Sequence, residues 1–254
     1  MGSQIRSDII EEAARLADAA VAAGAPVRAI GGVAVRLHAS VGVHPALARS
    51  YRDIDLVTTS KGGKETGRFL ASLGYEPNER FNAMNGSTRL VFYDVDNGRQ
   101  VDVFVGEFRM CHRVPVADRL QLDQKTVPLA ELLLTKLQIV HLNEKDLRDI
   151  FAVVLEHEIA EHDEEAINAA YVAALLAADW GFWRTARQTI EEARARLGDY
   201  ALAPEECARV DVRLARLWER VEAEPKSLRW RSRAKIGERT RWYEEQEEIE
   251  HRAG

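Results

Sequence analysis

Residues 89–95 and 100–105 are two β-rich runs joined by Asp96-Asn97-Gly98-Arg99. Asn-Gly between alternating runs is a strong hairpin signal, because both residues tolerate the positive φ that a tight turn between twisted strands requires. An antiparallel hairpin here fixes which side chains share a face. Asp102 falls on the return strand with Phe104 on its face and Val101, Val103 and Val105 on the other.

A second short run poses the same question more sharply. Arg49-Ser-Tyr-Arg-Asp53-Ile-Asp55-Leu-Val57 places two carboxylates one residue apart on an apolar strand, so both point to one side. Like charges held together there repel and resist desolvation, and packing gives no reason for them. A divalent cation is the usual resolution, and Mg²⁺ held by carboxylates is the usual way to handle a nucleoside triphosphate.

The surrounding chain divides into two unlike halves. Residues 7–23 read as a helix, with Ser7 or Asp8 as its cap and Ile9, Ile10, Ala13, Leu16, Ala17 and Ala20 at helical spacing. Gly24-Ala-Pro26 ends it. Residues 27–30 form a short apolar strand, Gly31-Gly32 a turn, and residues 33–39 the start of a second helix. A loop with Gly42 and Pro45 leads to the Asp53 strand. Thr58, Thr59 or Ser60 caps the next helix, which Gly74 closes. From about Val127 onward strand signals vanish, and residues 129–140, 145–156, 164–178 and 183–197 read as helices. The expected class is α+β, with a sheet core over residues 1–125 and an all-helical domain over residues 126–254.

Composition narrows the function classes. The chain has 254 residues, 46% hydrophobic and 30% charged, enough for a real core. A formal net charge of −6 argues against a general nucleic-acid coat while leaving local basic patches open. Cys111 and Cys207 are too few for a disulfide framework and favour a reducing cytoplasm. The first residues lack the basic region and apolar run of a signal peptide, and no apolar run approaches the roughly 20 residues of a membrane helix. A soluble cytoplasmic protein without a membrane partner is expected.

Gly31-Gly32 at a strand-to-helix turn, Asp53-Ile-Asp55 on the next strand and a third Asp in a later hairpin strand resemble the nucleotidyltransferase superfold. Gly31 to Leu37 (Gly-Gly-x-Ala-x-x-Leu), Arg49 to Leu56 and the helical Leu133 to Asp149 run (Leu-Leu-x-x-Lys-Leu … Lys-Asp-x-x-Asp) are similar to the AbiEii-like nucleotidyltransferases. The resemblance covers about residues 25 to 155. It implies a mixed β-sheet core with flanking helices that transfers a nucleoside monophosphate from an NTP to an acceptor hydroxyl. Asp53, Asp55 and Asp102 would be the catalytic and metal-holding carboxylates, with two Mg²⁺ ions. Gly31, Gly32, Arg49, Lys136, Lys145 and Asp146 would bind the nucleotide, with Asp149 in the supporting shell. It also implies a toxin or defence role with an antitoxin partner, and an RNA or tRNA acceptor becomes the better substrate class if the basic C-terminal run faces the cleft. Tyr51 stands where the family often has Ser or Thr, and the connection through residues 40–50 is longer than in compact members.

Each of these residues has a plainer alternative. Lys136 on an amphipathic helix also reads as a snorkelling surface group. Lys145, Asp146 and Asp149 also read as helix charge pairs, and Arg49 and Arg52 as partners of nearby acids. His157-Glu158-Ile-Ala-Glu161-His162 has its histidines five apart where a zinc protease needs four, and reads as a charged, solvated helix end. Gly62-Gly63-Lys64-Glu65 lacks the spaced first Gly and the Ser/Thr of a P-loop. Asp94-Val-Asp96-Asn97-Gly98 has Val105 where a calcium loop needs Glu. The basic run from Lys226 to Lys235, followed by Arg239, Arg241, Trp242 and Tyr243, either binds a phosphate backbone or packs on Trp180, Trp183 and Trp218 with its arginines paired to acids such as Glu244 to Glu248. Two further functions stay open: an antibiotic-modifying nucleotidyltransferase with a small acceptor, and a non-catalytic nucleotide-binding protein on the same fold.

Overall fold

A computed structural model describes residues 5–39 and 43–245. The readings made above on residues 1–4, 40–42 and 246–248 lie outside the described residues. Helix α1 (Ile9–Ala23) starts at Asp8, whose carboxylate accepts from the backbone N–H groups of Ile10 and Glu11, and it ends at Gly24 with φ 64°. Strand β1 (Val27–Ile30) then runs into α2 (Gly31–His38). The two glycines are therefore the first residues of the helix rather than a turn before it. Gly31 adopts φ 71°, which only glycine takes up at little cost, and this lets the chain swing from strand to helix without an intervening loop.

Strand β2 (Asp53–Thr58) leads through α3 (Gly63–Ser72), β3 (Glu76–Pro77) and α4 (Glu79–Asn85) to the hairpin of β4 (Arg89–Asp94) and β5 (Arg99–Val105). The hairpin turn forms at Asn97-Gly98, with Gly98 at φ 61°. The buried Asp94 carboxylate accepts from Asn97 and pairs with Arg99 at 2.6 Å, fixing the turn from below. The five strands form one mixed sheet in the order β1-β2-β5-β4-β3. Only β2 and β5 run parallel, and their register sets Asp55 directly beside Asp102. Alternation buries Ile54, Leu56, Val101 and Val103 on the other face, in the core.

The expected cap of α3 is not formed. Gly62 occupies that position without a side-chain hydrogen bond, and the Thr58 hydroxyl instead donates to the Pro26 carbonyl. A small hairpin, β6 (Phe108–Arg109) and β7 (Arg113–Val114), closes the sheet-bearing part.

The second part holds α5 (Leu129–Leu137), α6 (Glu144–Glu156), α7 (Ala169–Ala178), α8 (Trp180–Arg196), α9 (Pro204–Ala223) and α10 (Leu228–Ile236). It is largely rather than wholly helical, because β8 (Glu158–Ala160) and β9 (Ala166–Asn168) pair in parallel between α6 and α7. The stretch after α6 is thus not a solvated helix end. His157 is buried with its ring 5.7 Å from that of His38, and Ile159 and Ile167 anchor the two short strands in the core. The hydrophobic cluster is continuous from α1 and the sheet through α5, α6 and α7 to α9. Among the described residues no helix is long and apolar enough to cross a membrane.

Candidate functional site

The cleft at the open face of the sheet is built from four pieces of chain: the start of α2, the segment entering β2, the far end of the β4–β5 hairpin, and the loop joining α5 to α6. It encloses about 550 Å³ and is lined by Gly32, Asp53, Asp55, Gln100, Lys136 and Asp146 among others. Asp53 and Asp55 share a face through the period of two, and both line the cleft. The Asp55 carboxylate lies against Gly31: a Cβ at residue 31 would meet its Oδ2 at 2.6 Å. Burial, followed by the neighbouring charges of Asp53 and Asp102, pushes the Asp55 carboxyl up to about 7.

Asp102 is brought beside Asp55 as the hairpin reading expects, but it is buried and its oxygens are taken. Arg89 reaches Oδ1 at 2.7 Å, and the Gln100 amide donates to Oδ2 at 2.7 Å. Arg89 also lies over the ring of Phe104, its partner across the hairpin. Arg89 and Gln100 escaped the sequence reading. The signal was present in the hairpin register, which places Gln100 two residues from Asp102 and Arg89 opposite Phe104 on the same face.

Arg49, Lys136, Asp146 and Asp149 converge into one buried network. Arg49 donates to both oxygens of Asp149, at 2.7 and 2.8 Å, in the bidentate geometry that suits a guanidinium. The Lys136 ammonium sits 2.8 Å from Asp149 and 3.2 Å from Asp146. Burial opposes its charge, but Asp149 and Asp146 outweigh that effect and hold Lys136 above the ordinary lysine value. Burial likewise works against the Asp149 charge, and Lys136 and Arg49 overcome it and hold that carboxyl low. Lys136 is therefore a buried ion-pair partner and not a snorkelling surface group. The guanidinium of Arg49 also covers the Cα of Gly32, where any Cβ would overlap it, and stacks on Tyr51 with its centre 4.4 Å from the ring.

Local capping explains how α6 delivers its residues. Asn143 accepts from the backbone of Lys145 and Asp146, and the Asp146 carboxylate reaches back to the Asn143 N–H, a capping box that fixes the first turn. Arg148 donates to the carbonyls of Ala46 and Ala48, tying the segment before β2 to α6. Lys145 lines the cleft with an exposed side chain.

Among the described residues no group of three or more His, Cys, Asp and Glu is arranged as a metal cluster. The pair Asp53 and Asp55 nevertheless fits a hard cation, since it offers carboxylate oxygens to the cleft and carries negative charge that neighbouring acids make costly. Asp102 fits less freely, because Arg89 already neutralises it.

The tryptophans of the C-terminal run pack on the helical core, while its Arg229, Arg231, Lys235 and Arg239 are exposed. Trp183 meets Trp218 and Trp230, Trp180 meets Trp242, and the Trp242 indole donates to Thr185. Arg184 pairs with Glu238 and Arg109 with Glu244, while Arg233 donates to the Gly237 and Thr240 carbonyls. No family model, curated protein or solved structure matches this chain at a significant level.

Proposed function

We propose that this protein is a metal-dependent nucleotidyltransferase that moves a nucleoside monophosphate from an NTP to an acceptor hydroxyl. The observation that carries the reading is geometric: Asp53 and Asp55 face one cleft beside the start of α2, with Asp102 aligned against Asp55 on the neighbouring parallel strand. Asp53 and Asp55 have no salt-bridge partner of their own among the described residues, and a divalent cation arriving with the nucleotide would supply one. The sheet order, with one parallel pair carrying the acids, supports the same reading.

Asp53 and Asp55 would hold Mg²⁺, with Asp102 at its side. When bound, the ion supplies charge neutralisation at the phosphates and lowers the pKa of an acceptor hydroxyl. The chain's own residues do the rest. Gly31 and Gly32 bring backbone close to a phosphate because they carry no Cβ. Arg89 and Gln100 orient Asp102 by holding both its oxygens. The Arg49–Asp149–Lys136 network ties α5 and α6 against the segment entering β2, so the walls of the cleft keep their spacing.

The C-terminal run gives the acceptor two candidate classes, because Trp230 and Trp242 pack on the helical core while Arg229, Arg231, Lys235 and Arg239 are exposed. The test is incubation with each α-labelled NTP, Mg²⁺ and total RNA, or a panel of small hydroxylated acceptors, comparing wild type with Asp53→Asn. Label transferred by wild type and lost in the variant is the expected result, and its carrier identifies the acceptor class. Equal transfer by both proteins, or no binding of any Mg²⁺–NTP, overturns the reading.

A further inference from the structure

The cleft holds five basic side chains, Arg49, Arg52, Arg99, Lys136 and Lys145, and they are not equivalent. Arg99 is buried and committed to Asp94, and it also donates to the Arg6 carbonyl. Arg49 spends two donors on Asp149. Lys136 lies between Asp149 and Asp146. Within the floor network two cations meet two carboxylates, so that group is internally neutral. Drawing either cation toward a ligand would leave a buried carboxylate unpaired, which is strongly unfavourable.

Arg52 and Lys145 differ. Both line the same cleft, both are exposed, and neither has an acidic partner among the described residues. They stand on different walls: Arg52 directly precedes Asp53 at the entry to β2, and Lys145 lies in the first turn of α6. The backbone N–H groups of Lys145 and Asp146 are already taken by Asn143, so the Lys145 ammonium is the free donor group α6 offers at this point. Long side chains with free heads can swing onto an anion without breaking anything first.

Resting on the nucleotidyltransferase reading, we infer that Arg52 and Lys145 grip the polyphosphate tail of the bound nucleotide, while Arg49 and Lys136 form the fixed floor beneath it. The ligand class is a linear polyphosphate, because two cations carried by different walls of one cleft suit an extended anion that can reach both. Arg52 contributes planar, paired donors and Lys145 a point charge.

The experiment is calorimetric titration of the full chain with sodium tripolyphosphate in metal-free buffer, which reads the cations apart from any metal or base. Wild type is expected to bind. Arg52→Gln and Lys145→Gln are each expected to weaken binding about tenfold, the worth of one charge-assisted contact, and the double variant about a hundredfold. Both residues are exposed, so these variants keep the fold, and an unchanged thermal midpoint checks that. Full-strength binding by the double variant overturns the inference and leaves the nucleotidyl-transfer reading standing. Sulfate binding as tightly as tripolyphosphate also overturns it, by making the pair a general anion attractor. Failure of wild type to bind tripolyphosphate overturns the assignment, and failure to bind Mg²⁺–NTP as well removes the reading on which it rests.

Discussion

The carboxylate of Asp55 occupies the space that a side chain at Gly31 would fill. The same glycine has φ 71°, so both its conformation and its missing Cβ are required. Gly31→Ala is expected to cost about 1–3 kcal/mol through left-handed backbone strain alone. It also pushes Asp55 off the cleft floor, so on the proposed reading nucleotidyl transfer should fall further than stability does. Urea unfolding and a transfer assay on one preparation measure the two effects. Gly98→Ala is the comparison: its φ is 61° but open space surrounds it, so only the backbone strain should appear.

The raised Asp55 pKa makes stability depend on pH. Its folded value is about 7 against an ordinary 3.8. Between those values the folded chain holds a proton that the unfolded chain releases, so stability falls as pH rises toward 7 and levels off above it. Burial also raises Glu131 to about 7, adding a slope of the same sign. Burial depresses His38, His112 and His157, whose contributions are lost as pH falls below about 6.5. The difference between wild type and Asp55→Asn isolates the one carboxyl. The variant should gain about 2 kcal/mol on wild type between about pH 5.5 and about pH 8. Parallel pH profiles for the two proteins would contradict this.

Asp149 holds two cations at once, Arg49 and Lys136, and is itself buried. Asp149→Ala strands both and is expected to cost about 3–5 kcal/mol. The exposed pair Arg194–Asp211 offers the contrast, and Asp211→Ala should cost at most about 1 kcal/mol. Denaturant midpoints for the two variants should therefore separate clearly.

What was legible in the sequence is what local rules determine. Period-two alternation placed Asp53 and Asp55 on one face, and Asn97-Gly98 fixed the hairpin that carries Asp102. Capping chemistry narrowed the start of α1 to Ser7 or Asp8, and Asp8 is the cap. The remainder depends on contacts far apart in the chain. Arg49 and Asp149 are 100 positions apart, and no periodicity links them. Helix α4 was not foreseen because none of its residues is buried, so it has no apolar stripe to detect. Strands β8 and β9 have three residues each, too few to show alternation, and His157 beside them is buried by tertiary packing that its charged neighbours conceal.

On the proposed reading, Arg89 and a bound metal ion would compete for the charge of Asp102. The guanidinium lies 2.7 Å from Oδ1, so a cation drawn to Asp53 and Asp55 meets an acid already neutralised. Arg89→Met retains an apolar stem against Phe104 and removes the positive charge. One unit of charge within several ångströms of a divalent ion, in a partly solvated site, changes its binding by about 1–2 kcal/mol. On the proposed reading, Mg²⁺ should bind the variant about tenfold more tightly, read by calorimetry or by the Mg²⁺ dependence of the thermal midpoint. The variant also loses a group that orients Asp102, so transfer at saturating Mg²⁺ should drop while the Mg²⁺ requirement falls. Weaker Mg²⁺ binding in Arg89→Met would show that Arg89 serves the metal site chiefly by holding Asp102 in place.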